Sequence, residues 1–200
     1  MKMYLTVLKP ILDIIASLIA LPFLLISVLI VAPIIYFTDR GPIFYSSYRM
    51  GKNGRRFIMH KFRSMYVNAP DVRNPDGSLF NSDNDERLTK IGRFIRKTSI
   101  DELPQLINIL CGDMSLVGPR PSLYNANFPS FDEKLKKRFA VKPGLTGYAQ
   151  AYFRNSIDRE KKFEYDAWYV DNISFMLDAK IILKTFHAVA KRKDVFVNPK

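Results

Sequence analysis

The chain has one cysteine, Cys111, and only two histidines, His60 and His187, among its 200 residues. A lone cysteine excludes an intramolecular disulfide, and two unpaired histidines beside it exclude a Cys/His zinc site. Cys111 is read as a small buried apolar residue at the end of a helix from Leu103 to Leu110, and the solvent-facing part as a domain of a reducing compartment. Acids are scarce: 19 Asp and Glu stand against 31 Lys and Arg, a formal net charge of +12. That balance implies polyanionic partners: nucleic acid, anionic lipid headgroups or a nucleoside diphosphate, among which charge alone does not choose. There is no internal repeat and no low-complexity block, and the length suits one domain with a real core rather than two.

A long hydrophobic run is present. From Ile11 to Phe37 the chain is almost wholly apolar, with Asp13 near its start, Ser17 and Ser27 inside it and Pro22 near its middle. The run is too long, too weakly basic at its start and too poor in small-residue cleavage sites for a cleavable signal peptide. As one helix it measures about 40 Å, enough for a hydrocarbon core of ~30 Å. Pro22 cannot bond the Leu18 carbonyl, so the helix is expected to kink or break there, with the Ser17 hydroxyl available to a freed carbonyl. Two anchors remain open, a kinked spanning helix and a hairpin that enters and leaves on one face. Lys2 and Lys9 before the run and Arg40, Arg49, Lys52, Arg55 and Arg56 after it place the following domain on the cytoplasmic side in either case.

Beyond an Arg40-Gly41-Pro42 turn, residues Ile43 to Tyr48 and Arg56 to Phe62 read as strands around Gly51-Lys52-Asn53-Gly54, a β-hairpin. Residues 68 to 86 read as a surface loop. Leu88, Ile91, Phe94 and Ile95 recur at helical spacing amid Arg87, Lys90, Arg93, Arg96 and Lys97, giving a basic amphipathic helix that suits either a solvated face or an anionic lipid surface. Between Phe175 and Val189, Met176, Ala179, Ile182, Leu183, Phe186 and Val189 share one side, followed by Lys191, Arg192 and Lys193. Trp168 and Tyr169 upstream are residue types enriched at the membrane boundary. The fold class expected is α+β, mostly helical, with an anchor over residues 1–39 and one domain over 40–200 that lies on the membrane.

Two adjacent carboxylates, Asp101 and Glu102, precede a short apolar helix that ends in Gly118-Pro119-Arg120-Pro121. Ser99-x-x-Glu102 fits a helix capping box, but with Ser99 as N-cap Pro104 falls where its missing N–H is needed. A helix start at Asp101 places Pro104 in the tolerated first turn and Asp101 at a positive helix end. Neighbouring carboxylates can divide the labour of phosphoryl transfer, one attacking phosphorus and one assisting a metal. A rigid Pro-Arg-Pro turn presents a guanidinium suited to bidentate phosphate binding.

The block from Ser99 to Pro121, with Gly112-Asp113-Met114-Ser115-Leu116-Val117-Gly118-Pro119-Arg120-Pro121 at its end, resembles the bacterial sugar transferases, the small monotopic phosphoglycosyl transferases. Lys61-Phe62-Arg63-Ser64-Met65, Lys142-Pro143-Gly144-Leu145-Thr146-Gly147 and Arg154-Asn155 match further motifs, so the resemblance runs from about Lys9 to Val189. It implies transfer of a sugar 1-phosphate from a UDP-sugar to polyprenol phosphate at the cytoplasmic face of the bacterial inner membrane. In that reading Asp101 is the nucleophile that forms a phosphosugar adduct, and Glu102 assists Mg²⁺, which both carboxylates hold. Lys61, Arg63, Arg120, Pro121, Thr146 and Arg154 are the substrate-binding candidates. The resemblance also favours the hairpin anchor, although Leu21 stands where the family has a serine before Pro22. Tyr152-Phe153 replaces a more usual Asn-Gly, and Ser47 stands where a glutamine is common. The competing reading is a membrane-tethered basic protein that binds nucleic acid or acidic lipid without catalysis. It leaves the dyad unexplained, and no nucleic-acid partner is expected.

Overall fold

The structure is a computed structural model that describes residues 3–73, 80, 82 and 84–191. Lys2, Arg192, Lys193 and part of the expected 68–86 loop lie outside the described residues. The fold is α+β and mostly helical, with one long apolar N-terminal helix and two small sheets.

Helix α1 runs from Lys9 to Asp39, continuing a π-helical turn over Tyr4–Leu8, and keeps its helical assignment through Pro22 and Pro33. Tyr4–Asp39 is long and apolar enough to cross a membrane. The buried residues form one stripe, Lys9, Asp13, Ser17, Leu24, Val31 and Ile35, spaced by fours and sevens as one helix face requires, with Ala32 beside it. The opposite face leaves Ile19, Phe23, Leu29 and Phe37 exposed. Both ends are tied to the same domain. Lys9 Nζ donates to Asp178 at 2.6 Å, the Asp13 carboxylate accepts the Leu116 N–H at 3.0 Å, and Asp39 pairs with both terminal nitrogens of Arg63 at 2.5 and 2.6 Å. The Ser17 hydroxyl does not take up a carbonyl as expected: it lies on the buried stripe and has no hydrogen-bond partner among the described residues.

Strands β1, Phe44–Met50, and β2, Arg56–Phe62, form the expected antiparallel hairpin. The turn between them depends on left-handed Asn53 and Gly54, at φ 55° and 77°. Helix α2 covers Lys90–Lys97, with the Thr89 hydroxyl accepting from Gly92 N–H as its cap. Helix α3 is Gln105–Leu110. Strand β3, Ser115–Val117, pairs in parallel with β5, Gly144–Thr146, while β4, Ser122–Leu123, extends the first sheet along the free edge of β1. Helices α4, Glu133–Lys137, α5, Tyr148–Tyr152, α6, Arg159–Asp171, and α7, Phe175–Ala190, complete the chain. Leu24, Val31 and Ile35 of α1 enter one core with Phe57, Met59 and Phe62 of β2, Ile95 of α2, and Leu106 and Ile109 of α3. A second cluster joins Val117, Ala151, Tyr169, Ile173 and Ile181.

Two expectations change here, those for Cys111 and Tyr169. Cys111 is exposed, because α3 turns Leu106 and Ile109 inward and its C-cap residue outward. Tyr169 is buried, not interfacial: its hydroxyl donates to Asp178 at 2.7 Å, and only Trp168 of that pair reaches solvent. In α7 the apolar side carrying Met176, Leu183 and Phe186 is exposed, whereas Asp178 and Ile181 point inward. Asp178 goes inside because Tyr4, Lys9 and Tyr169 all donate to it, which compensates the burial of a charge.

Candidate active site

Asp101 and Glu102 lie in a 3₁₀ turn over Ile100–Glu102, ahead of α3. The capping box does not form: Ser99 is left-handed, at φ 58°, and its side chain caps nothing. Nor does a helix start at Asp101. Pro104 lacks the N–H that would reach the Ile100 carbonyl in an α-helix, and the Leu103 N–H takes that carbonyl at 3.1 Å instead, tightening the turn. Pro104 then precedes α3, where it costs nothing.

Asn108 fixes α3 against the sheet. Its side-chain amide accepts the His60 N–H at 3.1 Å and donates to the Ile58 carbonyl at 2.7 Å, acting as one more rung on β2. With α3 so registered, Lys61 near the end of β2 meets Glu102: Nζ donates to Oε1 at 2.5 Å, and an Arg120 terminal nitrogen reaches the same oxygen at 3.3 Å. Helix α2 is held as closely. A Cβ on Gly92 would sit 1.7 Å from the Ser64 carbonyl oxygen, so only glycine permits this approach, and Arg96 of the same helix donates to the Ser64 hydroxyl at 2.9 Å.

The two carboxyls are electrostatically unlike. Burial pushes Asp101 up to about 6, with the Lys61 ammonium opposing and the Glu102 charge adding to the rise. Burial also acts upward on Glu102, but Lys61 and Arg120 outweigh it and hold that carboxyl down at about 2. Two cations that sequence reading left out of the site join them. Arg96 senses the Asp101 charge, its own guanidinium being pushed down by burial, and Arg49 on β1 is lowered to about 10 by burial and by Arg120 beside it. The Arg49 signal was the strand alternation that puts it on the β1 face shared by Lys61 of β2; Arg96 gave none beyond its place on a basic helix.

The structure brings Lys61 and Arg120 to the dyad, with Pro121 beside Arg120. Arg63 is drawn away from the dyad. It is buried on Asp39 and on the carbonyls of Pro42, Ile35 and Met65, where it ties down the end of α1. The Thr146 hydroxyl shares a hydrogen bond of 2.7 Å with Thr185 of α7. Arg154 follows α5 in a left-handed conformation, φ 47°.

Among the described residues no group of three His, Cys, Asp or Glu is placed to hold a metal ion. Magnesium does not require one, since it binds through one or two carboxylates together with substrate phosphates and water. Asp101 carries no side-chain hydrogen bond among the described residues, and Glu102 keeps lone pairs beyond those used by Lys61 and Arg120, so the donor set fits that ion.

Residues 4–192 match the family model for bacterial sugar transferases. The chain is 45% identical over 183 residues to a protein of Bacillus subtilis named as an uncharacterized sugar transferase, EpsL, covering 92% of this chain and 87% of that one. It is 40% identical over 169 residues to the undecaprenyl-phosphate galactose phosphotransferase of Salmonella typhimurium, covering 79% of this chain and 35% of the relative. It is also 40% identical over 180 residues to the UDP-glucose:undecaprenyl-phosphate glucose-1-phosphate transferase of Klebsiella pneumoniae, covering 86% of this chain and 38% of the relative. The chain thus spans well under half the length of these last two relatives.

Proposed function

The chain belongs to the bacterial sugar transferases, and we propose that it transfers a sugar 1-phosphate from a UDP-sugar to undecaprenyl phosphate, releasing UMP. The asymmetry of the dyad carries this reading. Asp101 is buried, without a side-chain hydrogen bond among the described residues, and raised toward about 6, which leaves a more basic yet still ionised oxygen at neutral pH. Glu102 beside it is pinned by two cations. Asp101 attacks the β-phosphorus of the UDP-sugar as the bond from that phosphorus to the bridging oxygen breaks, and the electron pair leaves with UMP. An oxygen of the lipid phosphate then attacks the same phosphorus and the bond to Asp101 breaks, which restores the carboxylate. Lys61, Arg120, Arg49 and Arg96 bind and orient the diphosphate and stabilise the charge that builds on its oxygens. When bound, Mg²⁺ held by Asp101 and Glu102 supplies further neutralisation of the diphosphate.

Purified protein with undecaprenyl phosphate and Mg²⁺ is expected to release UMP with at least one donor from a panel of UDP-sugars, and to stop when EDTA removes the metal. Silence across the panel, with DNA or RNA bound in a salt-sensitive manner, would favour the tethered-binder reading.

The reading extends to topology. Lys9 and Asp39 pair with one domain, so a helix that carried them to opposite sides of a bilayer would have to break one of those pairs. The proposed arrangement is a re-entrant α1, bent near Pro22, on the cytoplasmic face of the inner membrane. The exposed apolar faces of α1 and α7 are then turned to lipid. In a Cys111→Ser background, Met3→Cys is expected to resist an impermeant thiol reagent in intact cells; labelling from outside would overturn the arrangement.

A further inference from the structure

Arg138, directly after α4, is the least exposed cation among the described residues. Its Nε and one terminal nitrogen donate to a single Asp166 oxygen on α6, at 3.1 and 2.6 Å. That terminal nitrogen also donates to the Arg120 carbonyl at 2.9 Å, and the other donates to the Ser122 hydroxyl. The guanidinium lies against Phe163 and Phe139, with centroid distances of 4.3 and 5.1 Å. The Arg120 side chain, by contrast, is about half exposed and among the described residues makes only the long bond to Glu102. Its aim is therefore set by the backbone beneath it.

That backbone is gripped at successive points. The Gly118 N–H donates to the Thr146 carbonyl, the Pro119 carbonyl accepts from Gly144, and Pro119 and Pro121 each have a fixed φ. Beyond Pro121 β4 pairs with β1, Ser122 opposite Met50, and between these points Arg138 holds the Arg120 carbonyl and the Ser122 hydroxyl. Replacing a buried ion pair by apolar residues of similar volume is often neutral or stabilising, so stability alone is a weak reason for a charge here. The planar fork is a stronger one: it serves Asp166, Arg120 and Ser122 at once, which an ammonium cannot do in one plane.

We propose that Arg138, oriented by Asp166, is a positioning residue for the transfer reaction: it clamps Arg120-Pro121-Ser122 so that the Arg120 guanidinium meets Glu102 and the diphosphate of the substrate. This rests on the transferase reading above, and its test separates the two. Arg138→Lys and Ser122→Ala are each made alone and with Arg120→Met. UMP release, binding of inorganic pyrophosphate with Mg²⁺ by calorimetry, and thermal unfolding are then measured. Arg138→Lys is expected to lower kcat/KM and pyrophosphate affinity about 10- to 100-fold, as loss of alignment does. Ser122→Ala, with an unchanged Tm, is expected to lower both about threefold to tenfold. In the Arg120→Met background both effects are expected to shrink below twofold, while the Tm difference that Arg138→Lys makes is the same with and without Arg120. Equal losses with and without Arg120, or full affinity and turnover in Ser122→Ala and Arg138→Lys, would overturn the clamp. A wild-type protein that releases no UMP while the coupling in pyrophosphate binding holds would overturn the transferase reading and leave the clamp standing.

Discussion

Asp101→Asn is expected to fold normally, release no UMP and form no phosphosugar adduct detectable by intact mass. The amide keeps the shape of the carboxyl but has no charged oxygen to attack phosphorus, so the loss is expected to reach about 10⁴-fold or more, as for other covalent nucleophiles. Stability should move the other way. Burial holds the Asp101 carboxyl up at about 6, so in the folded state its ionised form is disfavoured relative to the unfolded chain. Folding therefore loses stability as pH rises from the ordinary carboxylate value through about 6, and at neutral pH the neutral amide escapes that loss. The Asn variant should melt at or above the wild-type temperature. A variant with normal turnover would remove Asp101 from the mechanism, and an inactive variant that melts well below wild type would mean that the residue supports the fold.

Lys61→Met is expected to lower kcat by about 10²- to 10³-fold, the range seen when one preorganised charge partner of a transition state is removed. Lys61 is the cation closest to Glu102, at 2.5 Å, and is the first charge opposing the rise of Asp101. Without it the first charge opposing burial at Glu102 is gone and the more distant cations, Arg120 foremost, are left, so that carboxyl climbs from its lowered value, and Asp101 climbs further from its raised one. Both shifts favour a proton where the chemistry needs an anion. The activity remaining should therefore need a higher pH than wild type, whereas Lys61→Arg, which keeps the charge, should shift the profile little. A Lys61→Met enzyme with kcat within about threefold of wild type and an unmoved pH profile would exclude this role.

The chemistry of the site was legible in the sequence wherever it resided in residue type and order: two adjacent acids, a rigid Pro-Arg-Pro turn and a Lys-Phe-Arg strand end. Its geometry was legible only in part. Lys61 and Arg63 stand two apart and look alike on paper, yet one meets Glu102 and the other Asp39, because the strand ends between them at Phe62 and the chain leaves the sheet. Arg96 lies on a helix whose approach depends on the missing side chain of Gly92 against Ser64. The Tyr4, Lys9, Tyr169 and Asp178 knot joins residues more than 160 positions apart in the case of Lys9 and Asp178, and nothing in local pattern marks them as partners.

By itself the sequence determined the long apolar α1, the β-hairpin around its Asn-Gly turn, the basic excess and the presence of the dyad, since each follows from periodicity, turn chemistry or composition over a few neighbouring residues. Only the tertiary structure decided which carboxyl is pinned and which is left unbonded, that Cys111 faces out and Tyr169 in, and that Arg138 grips the Arg120 backbone from below. The reason is physical: burial and ion pairing depend on which distant segments meet, and a carboxylate acquires its character from the charges and the loss of water that those segments impose.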